Sequence, residues 1–334
     1  MRKAGLEAGG TGDGARQAAR GAPGALPRPP GLARWWVYQR ERFPVLAHGA
    51  LIVAFSLSAV CYSALIRGAA SITLAAALVA FTTAFLFFLQ LRIADEFKDF
   101  EEDAKYRPYR PVPRGLVTLR ELGWLGAGAG LVQIGLAAGY DVRLLAILGG
   151  VLAYLALMSV EFFAGAWLRP RPFLYMASHM LIMPLIDFYA TACDWLPAGA
   201  GLSPALAWFL LISYFNGTVI EIGRKIRAPA DEEPGVETYS AVWGRRGAVA
   251  AWLGAMGLGA ACSLAAAREI RFVAPVTAVV AVLALAAVLV AASYLRKAQP
   301  GEGKRFELVS GVWTLAVYLS VGVVPLAARH WGIA

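Results

Sequence analysis

Six acidic residues lie close together in the stretch 91–116, LRIADEFKDFEEDAKYRPYRPVPRGL, of a chain that is otherwise mostly apolar. Asp95, Asp99 and Asp103 recur at intervals of four residues. On a helix this spacing places the three carboxylates on one face, each about 6 Å further along the axis. Glu96 lies three residues before Asp99 and joins the same side. Like charges in this arrangement repel one another unless a cation lies between them.

A divalent metal ion accounts for this spacing. Mg²⁺ prefers oxygen ligands, takes few protein carboxylates, and completes its shell with water and substrate phosphate. The stretch therefore predicts a metal–diphosphate site with four carboxylate ligands: Asp95, Glu96, Asp99 and Asp103. The alternative is a solvated helix end in which Lys98 and Lys105 pair with the acids. The position directly after an apolar run favours a functional site, because ionisable groups at a membrane span are more often functional.

The composition indicates a membrane protein. Of the 334 residues, 59% are hydrophobic and 16% are charged, whereas about 25% of the residues of a soluble domain are charged. The apolar residues fall into runs of about 20, the length that crosses the hydrocarbon core as a helix. We expect an all-α polytopic bundle of nine spans, at roughly 46–66, 70–91, 121–139, 142–163, 173–192, 204–223, 247–266, 272–294 and 308–328.

The basic residues predict the orientation of the bundle. With the N-terminus in the cytoplasm, 26 of the 31 lysines and arginines fall in the N-terminal segment or in cytoplasmic loops. Cytoplasmic loops of membrane proteins carry such an excess. The two long polar loops, 92–120 and 224–246, then lie on the cytoplasmic face. The formal charge of +9 thus reports topology, and we expect no nucleic-acid partner.

The N-terminal segment differs from the rest of the chain. Residues 1–33 are rich in Gly, Ala, Pro and Arg and contain no apolar run of the kind found in a signal peptide. We expect a disordered, basic cytoplasmic tail there and one membrane domain over 34–334. Trp35, Trp36 and Tyr38 indicate an interfacial anchor where the chain meets the membrane.

The acidic stretch and the segment after it resemble two linked motifs of the UbiA-type intramembrane prenyltransferases. The first motif of that family, N-D-x-x-D-x-x-x-D, is matched by Asp95-Glu96-x-x-Asp99-x-x-x-Asp103, with Asp95 in place of the leading Asn. The second, R-P-[LI]-P-x-G-x-[IV]-[ST], is matched over 110–118, which reads RPVPRGLVT. The family has nine helices and two acidic cytoplasmic loops, and the resemblance covers the chain from about residue 40 onward.

The resemblance implies a reaction. A prenyl diphosphate binds through Mg²⁺ to the acidic loops, and its C1–O bond ionises while charge develops on the leaving diphosphate. A lipophilic acceptor, such as an aromatic compound or a quinone precursor, captures the allylic cation in a chamber from which water is excluded. Asp99 and Asp103 are given catalytic roles, and Arg110 is expected to bind the diphosphate. We expect an integral protein of a bacterial inner membrane, surrounded by lipid, with its active site facing the cytoplasm.

Aromatic side chains are expected to help line the chamber that holds the isoprenoid chain. The candidates lie in the second and fourth spans: Phe81, Phe85, Phe87, Phe88, Tyr154, Phe162 and Phe163. The alternative for each of them is ordinary helix packing or contact with lipid.

The second polar loop departs from the family pattern. The family has D-x-x-x-D at this position, whereas this chain has Glu221-x-x-x-Lys225. The trailing G-x-x-[ST] is matched over 235–238, and Asp231 lies four residues before its glycine, as the last acid of the family pattern does.

A lysine cannot coordinate Mg²⁺ as a carboxylate does, but it contacts diphosphate oxygens as a point charge. We therefore expect Glu221 and Asp231 to remain metal ligands, with fewer metal ions bound than in relatives. Three cations are expected to bind the diphosphate, with Lys225 also catalytic: Arg224, Lys225 and Arg227. The alternative is a structural pair between Glu221 and Lys225 in a loop that has lost its catalytic function.

Three polar residues inside the spans are weaker candidates. His179 lies in the cytoplasmic half of the fifth span and is a candidate base for a phenolic or hydroxyl acceptor. Asn216, about one turn before Glu221, is a candidate for orienting the site. Asp187 is deeper in the bundle and is assigned no role.

The cysteines are too far apart to indicate a disulfide framework or a metal site: Cys61, Cys193 and Cys262.

Two other functions are alternatives to prenyl transfer, a second enzymatic reaction and transport. A terpene cyclase of the same family shares the ionisation step, but the substrate's own double bonds capture the cation. An ion-binding transporter is disfavoured, because transporters place ion sites near the bilayer midplane, on broken helices in paired repeats. Here the acidic residues lie at the ends of spans, and the sequence shows no convincing internal repeat.

Overall fold

The structure of the protein is a computed structural model that describes residues 31–233 and 235–332. Within these ranges the chain is helical and contains no β-strand. The tail predicted for residues 1–33 lies almost entirely outside the described residues, and the first helix begins at Ala33. The helices are α1 Ala33–Arg42, α2 Val45–Ile66, α3 Leu74–Lys98, α4 Phe100–Tyr106, α5 Leu119–Tyr140, α6 Leu144–Ser159, α7 Gly165–Leu168, α8 Pro172–Met180, α9 Ile182–Trp195, α10 Leu206–Gly223, α11 Tyr239–Glu269, α12 Val273–Arg296, α13 Gly303–Val321 and α14 Val323–His330.

The apolar helices agree with the predicted spans. In the described part of the chain, eight helical segments are long and apolar enough to cross a membrane, and α6 is a further apolar helix that is shorter. Each corresponds to one of the nine predicted spans, in order. The all-helical membrane bundle is thus confirmed. The count of nine crossings and the cytoplasmic N-terminus stay predictions.

Two of the predicted spans are interrupted. The fifth consists of α8 and α9, which meet at Leu181, and the ninth consists of α13 and α14, which meet at Gly322. A Cβ atom at Gly322 would lie 2.5 Å from the Cα atom of Ser58 in α2. The break lets the chain pass close to α2. Hydropathy does not report such breaks, because both halves of each span are apolar.

The acidic stretch continues the second span as a helix. Thr73 caps the start of α3 by accepting a hydrogen bond from the Ala76 N–H at 3.1 Å. The helix α3 ends at Lys98 and α4 begins at Phe100, with Asp99 between them at φ −93° and ψ 5°. The Asp99 N–H bonds to Asp95 O at 2.9 Å and the Asp103 N–H bonds to Asp99 O at 2.8 Å. The single helix that the spacing predicts is thus broken at Asp99, although four-residue bonds link the three aspartates.

The membrane helices form a closed ring around an apolar core. Each packs against the next in chain order, and the last returns to the first: α2, α3, α5, α6, α9, α10, α11, α12 and α13. Aromatic rings fill much of the core, with Phe87 fully buried as expected. Phe163 is 84% exposed, so among the aromatic candidates it is not one that lines the core. The three cysteines are free and buried.

A second, smaller apolar cluster attaches α1 to the rest of the molecule. Tyr38 of α1 packs against Ile93 of α3 and against Val112 and Val117 of the RPVPRGLVT segment, with Leu122 of α5 behind them. The Thr118–Glu121 capping box fixes the start of α5 directly after that segment. This cluster thus holds the acidic end of α3 in a framework of three other chain segments.

Candidate active site

The polar loops meet at one end of the ring, which we call the acidic rim. It comprises the C-terminal end of α3, α4, the segment 107–118, and the chain from the end of α10 to the start of α11. Asp99 lies at the junction of α3 and α4, and among the described residues its carboxylate makes no ion pair. Burial raises the pKa of Asp99; the Lys98 ammonium opposes this rise, and the nearby Asp95 and Asp103 carboxylates add to it. A cation placed there would relieve this repulsion.

Asp103 links the two motifs of the sequence. Its carboxylate is buried and lies 2.6 Å from the guanidinium of Arg110 and 3.0 Å from that of Arg107. The Arg107 contact lacks hydrogen-bond geometry, so Asp103 Oδ1 accepts no hydrogen bond. Arg110 begins the RPVPRGLVT segment, and its pairing with Asp103 folds that segment back onto α4. Arg110, predicted to bind diphosphate, is thus bound to a carboxylate in this structure.

Asp95 brings the first acidic motif towards the second loop. Arg92 lies 3.4 Å from its carboxylate, one turn earlier on α3. Arg224, which follows α10, is also close enough for the two charges to interact, because Asp95 contributes to raising the pKa of Arg224. The larger contribution to that rise comes from Glu221. Asp95 thus interacts electrostatically with the second loop through Arg224.

Glu96 was predicted to lie on the same helical face as Asp99, and the structure places its carboxylate elsewhere. Its carboxylate is almost completely buried and is paired with Arg42 of α1. A buried carboxylate requires a partner, and α1 supplies one from 54 residues earlier in the chain. The spacing of neighbouring residues does not predict a partner that lies so far away along the chain. Glu96 thus connects α1 to the rim and faces away from the open carboxylate of Asp99.

Glu221 and the two cations after it form a compact group at the end of α10. Its carboxylate lies 2.6 Å from Arg224 and 2.9 Å from Lys225 Nζ, while the Tyr239 hydroxyl donates to it at 3.5 Å. The Lys225 ammonium also lies 5.4 Å from the centre of the Tyr239 ring. One carboxylate and two cations leave this group with a net positive charge. The ion pair between Glu221 and Lys225, which was the structural alternative for this loop, is therefore present, and Arg224 pairs with Glu221 as well.

Asp231 and Arg227 lie elsewhere. The Asp231 carboxylate accepts a hydrogen bond from the Gly301 N–H, at 2.7 Å, in the connection between α12 and α13. The Tyr294 hydroxyl donates to Arg227 O at 2.7 Å, and the Arg227 side chain lies against Gly303. Both residues thus bind the loop next to them in space, and neither carries an ion pair to the first acidic motif in the described chain.

A glycine allows the second loop to touch the first. Gly235 has φ +76°, and a Cβ atom there would lie 2.7 Å from the ring of Tyr106 in α4. The glycine of the G-x-x-[ST] element is thus required both by the backbone and by the close ring.

Replacing Gly235 by Ala is expected to destabilise the rim. Overpacking against the Tyr106 ring costs about 1–3 kcal/mol, in addition to the penalty for a side chain at positive φ. The measurement is the apparent unfolding temperature in detergent. Gly199→Ala is the matched control, because Gly199 has φ +65° and no neighbour within 4 Å. Equal losses in the two variants would show that the Tyr106 contact contributes nothing.

A second polar group lies beside the first acidic motif, on α8. Lys98 Nζ donates to the Tyr175 hydroxyl at 2.8 Å, and the Tyr175 ring stacks on His179 with 4.0 Å between centroids. His179 Nδ1 lies 2.7 Å from the carbonyl oxygen of Tyr175. Since a carbonyl only accepts, Nδ1 carries the proton and Nε2 keeps its lone pair. Nε2 is buried and has no hydrogen-bond partner within the described residues.

The turn after α6 supports this group in an unusual conformation. Glu161, Phe162 and Phe163 have φ values of 50°, 54° and 56°, in the left-handed region that non-glycine residues rarely adopt. The turn places the Glu161 carboxylate 2.9 Å from Arg169, and the Phe162 ring makes an edge contact with His179. Such strained segments concentrate near functional sites.

Sequence reasoning missed several residues of the rim. The Tyr38 hydroxyl is buried without a hydrogen-bond partner and lies close to the charges of Glu96, Arg92 and Arg42. The other missed residues contact groups already described: Arg42, Arg92, Tyr175 and Tyr239. The only signal for α1 was its cluster of aromatic and basic residues, which we had interpreted as a membrane anchor.

Replacing Arg42 by Met is expected to destabilise the protein strongly. Glu96 would remain buried without a partner, which costs about 3–5 kcal/mol. The apparent unfolding temperature in detergent should fall accordingly. Adding Glu96→Gln to this variant removes the uncompensated charge and should restore most of the loss. An unchanged unfolding temperature in Arg42→Met would contradict the role given to the pair.

The carboxylates of the rim suit a metal ion that takes few protein ligands. Among the described residues, no three His, Cys, Asp or Glu side chains lie close enough together to hold a metal ion on their own. In the described chain, however, the Asp99 carboxylate makes no ion pair and the Asp95 carboxylate pairs only with Arg92, at 3.4 Å, so both are available hard oxygen donors. Mg²⁺ accepts one or two such carboxylates and takes its remaining ligands from water and phosphate. The donor set therefore fits Mg²⁺ bound together with a diphosphate.

The fold and the acidic rim together define a polytopic membrane protein. Its site combines acidic and basic residues at one end of a closed ring of helices. The chain belongs to the UbiA prenyltransferase family, whose pattern matches residues 53–312. The matched range includes both polar loops and excludes α1. A comparison with curated protein sequences gives no match.

Solved structures support the fold. The apo structure of a UbiA homolog from Aeropyrum pernix K1 is 19% identical, with a TM-score of 0.62 over 83% of this chain and 96% of that one. A structure of digeranylgeranylglyceryl phosphate synthase is 12% identical, with a TM-score of 0.52 over 86% and 99%. A UbiA homolog from Archaeoglobus fulgidus, bound to DMAPP and Mg²⁺, is 10% identical, with a TM-score of 0.48 over 84% and 99%. At these identities the first two show the fold alone.

Proposed function

We propose that the protein is a Mg²⁺-dependent intramembrane prenyltransferase that ionises a prenyl diphosphate and transfers the prenyl group to a lipophilic acceptor. The observation that carries the proposal is the rim itself. The open carboxylate of Asp99 lies between Asp95 and Asp103, and Arg224 and Lys225 lie beside this acidic run, at the end of a ring with an apolar core. Family membership supports the same reaction class.

The first acidic motif would hold the metal ion. Asp95, Asp99 and Asp103 provide the carboxylates, while Glu96 anchors α1 through Arg42. When bound, Mg²⁺ neutralises charge that develops on the leaving diphosphate. Arg107 and Arg110 pair with the Asp103 carboxylate and fix its position, and Oδ1 would exchange its Arg107 contact for the metal ion. Positioning of this kind lowers the cost of organising the site during the reaction.

The second loop would supply cations in place of further metal ligands. Glu221 is already neutralised by Arg224 and Lys225, and the net positive charge of this group favours the diphosphate oxygens. Glu221 then orients the two cations, and fewer metal ions are needed than with a second acidic pair. Asp231 and Arg227 have no part in this proposal, because both bind the chain around the α12–α13 connection.

His179 is proposed as the base that removes a proton from the acceptor. Its Nε2 atom has a free lone pair, and the Lys98–Tyr175 contact ties it to the helix that carries Asp95 and Asp99. An acceptor hydroxyl or ring that captures the cation at C1 must lose a proton, and Nε2 would take it. The apolar ring interior keeps water from competing for the cation. We place this site on the cytoplasmic face, in agreement with the charge bias of the loops.

Replacing His179 by Gln is expected to separate ionisation from transfer. Transfer to a phenolic acceptor should fall about 100-fold or more, because the proton acceptor is lost. Metal-dependent binding of the prenyl diphosphate should be retained. The measurement compares the yield of prenylated product with diphosphate binding in the same preparation. Unchanged transfer would show that His179 is an ordinary hydrogen-bonded histidine.

The proposed reaction is tested by diphosphate release. Purified protein is incubated with geranyl, farnesyl and geranylgeranyl diphosphates, with Mg²⁺ or with EDTA, in the presence and absence of a membrane extract as the source of acceptor. Release that requires Mg²⁺ and the extract is the expected result. Hydrocarbon formed without an extract would assign the chain to the terpene cyclases of the family. No release from folded protein under any of these conditions would overturn the proposal.

A further inference from the structure

A polar cluster lies in the core of the ring, away from the acidic rim. The Tyr318 hydroxyl of α13 lies 3.3 Å from the Asp187 carboxylate of α9 and 3.2 Å from the Ser213 hydroxyl of α10. All three residues are completely or almost completely buried. The cluster therefore joins three membrane helices around a single carboxyl group.

An amide extends the cluster towards the rim. Asn216 lies three residues after Ser213, on the same face of α10, and its Oδ1 atom accepts a hydrogen bond from Trp313 Nε1 at 3.2 Å. Two buried atoms of the cluster have no partner among the described residues: Asp187 Oδ1 and Asn216 Nδ2. Leaving such atoms unpaired in an apolar interior is costly, so a binding partner would stabilise them.

The cluster is too far from the rim to take part in ionisation. Ser213 precedes Glu221 by eight residues on α10, which corresponds to about 12 Å along the helix axis. Hydroxyl and amide groups also hold membrane helices together, so Ser213 and Asn216 alone would be explained by packing. An acidic residue inside a membrane span is different, because its cost makes it a functional candidate by default.

We propose that this cluster binds a hydroxyl group carried on an apolar chain. A hydroxyl donates one hydrogen bond and accepts others, so it can serve an unpaired acceptor and an unpaired donor together. In the described chain Asp187 Oδ1 is such an unpaired acceptor, and Asn216 Nδ2, one turn along α10 from Ser213, is such an unpaired donor. The surrounding core is apolar and aromatic, which suits the chain that carries the hydroxyl. The inference goes beyond the proposed function, because binding of this kind needs neither Mg²⁺ nor ionisation.

Farnesol and farnesene test the proposal, because they share an isoprenoid chain and differ in the hydroxyl. The measurement is the dissociation constant of each, obtained from ligand-dependent shifts of the unfolding temperature in detergent. Farnesol is expected to bind the full chain about tenfold more tightly than farnesene, as one or two buried hydrogen bonds allow. Asp187→Leu should remove this preference. Thr277→Val is the control, because that hydroxyl is exposed and bonded within its own helix.

Two further variants test the proposal even if the Asp187→Leu protein does not fold. Asn216→Leu and Asp187→Asn each keep the approximate size of the side chain and change one of the two unpaired atoms, and both should weaken the farnesol preference. Equal affinity of the wild type for farnesol and farnesene would overturn the proposal and leave the two atoms to a resident water. A preference that persists in all of the cluster variants would overturn it as well. Mg²⁺-dependent diphosphate release, measured on the same preparations, separately reports whether the proposed function holds.

Discussion

Replacing Asp99 by Asn is expected to reduce Mg²⁺-dependent diphosphate release by at least about 100-fold, because a carboxylate that would bind the metal is lost. Asp99 has the open carboxylate of the rim, between Asp95 and Asp103. Asn keeps the size of the side chain but removes the charge that a cation would bind. The measurement is the rate of diphosphate release over a range of Mg²⁺ concentrations, with the prenyl diphosphate that the wild type uses best.

Glu101→Gln is the matched control for this variant. Glu101 lies two residues further on, is exposed, and makes no ion pair among the described residues. It should retain the wild-type rate. Asp99→Asn should also keep or exceed the wild-type unfolding temperature without Mg²⁺, because it removes a buried like charge. A variant that is stable, folded and fully active would show that Asp99 is not a metal ligand.

Replacing Lys225 by Met is expected to lower diphosphate release by about 100- to 1000-fold, the range found when one group that stabilises developing charge is removed. Lys225 occupies the position at which the family pattern has an acid, and its ammonium lies 2.9 Å from Glu221. The rate at saturating substrate is the informative quantity, because it reports the ionisation step. Lys304→Met is the control, since Lys304 is exposed at the start of α13 and makes no ion pair in the described chain.

A second substitution at this position tests the number of metal ions. Lys225→Asp restores the acid of the family pattern beside Glu221, and it should raise the number of bound Mg²⁺ ions in a complex with a non-hydrolysable prenyl diphosphate analogue. The wild type should bind fewer. Two Mg²⁺ ions fully ligated by protein in the wild-type complex would contradict the proposal that cations replace metal ligands. Full activity of Lys225→Met would instead favour the purely structural pair.

The local sequence predicted secondary structure correctly where a repeating pattern of residues reflected a physical requirement. Apolar runs of about 20 residues predicted the membrane helices, because backbone groups in lipid must bond within each segment. The four-residue spacing of Asp95, Asp99 and Asp103 predicted a helix, and the chain is helical on both sides of Asp99, where α3 and α4 are separated by a break. The linked motifs predicted the family, which the match over residues 53–312 shows.

Partners from distant parts of the chain were not predictable in this way. Glu96 has the same local spacing as a metal ligand, but Arg42 lies next to it only because Tyr38 packs α1 into the small apolar cluster. The breaks at Leu181 and Gly322 each lie three residues before a proline, Pro184 and Pro325, which cannot donate the helical hydrogen bond and which hydropathy does not record. Phe163 was one of several aromatic candidates for the chamber, and it is exposed after the left-handed turn that begins at Glu161.

The sequence by itself determined that this chain is a helical membrane protein of the UbiA family with a concentrated acidic stretch. The helical membrane character follows from composition and periodicity, and the family follows from the resemblance to two linked motifs, which the family match shows. Only the tertiary structure decided which carboxylates are paired: among the described residues Asp99 makes no ion pair, while Asp103, Glu96 and Glu221 are each paired with arginine or lysine side chains. It alone also brought Asp187, Ser213 and Tyr318 together in the core. The reason is that a charge or hydroxyl in an apolar interior is stabilised by whichever partner the packing of distant helices provides.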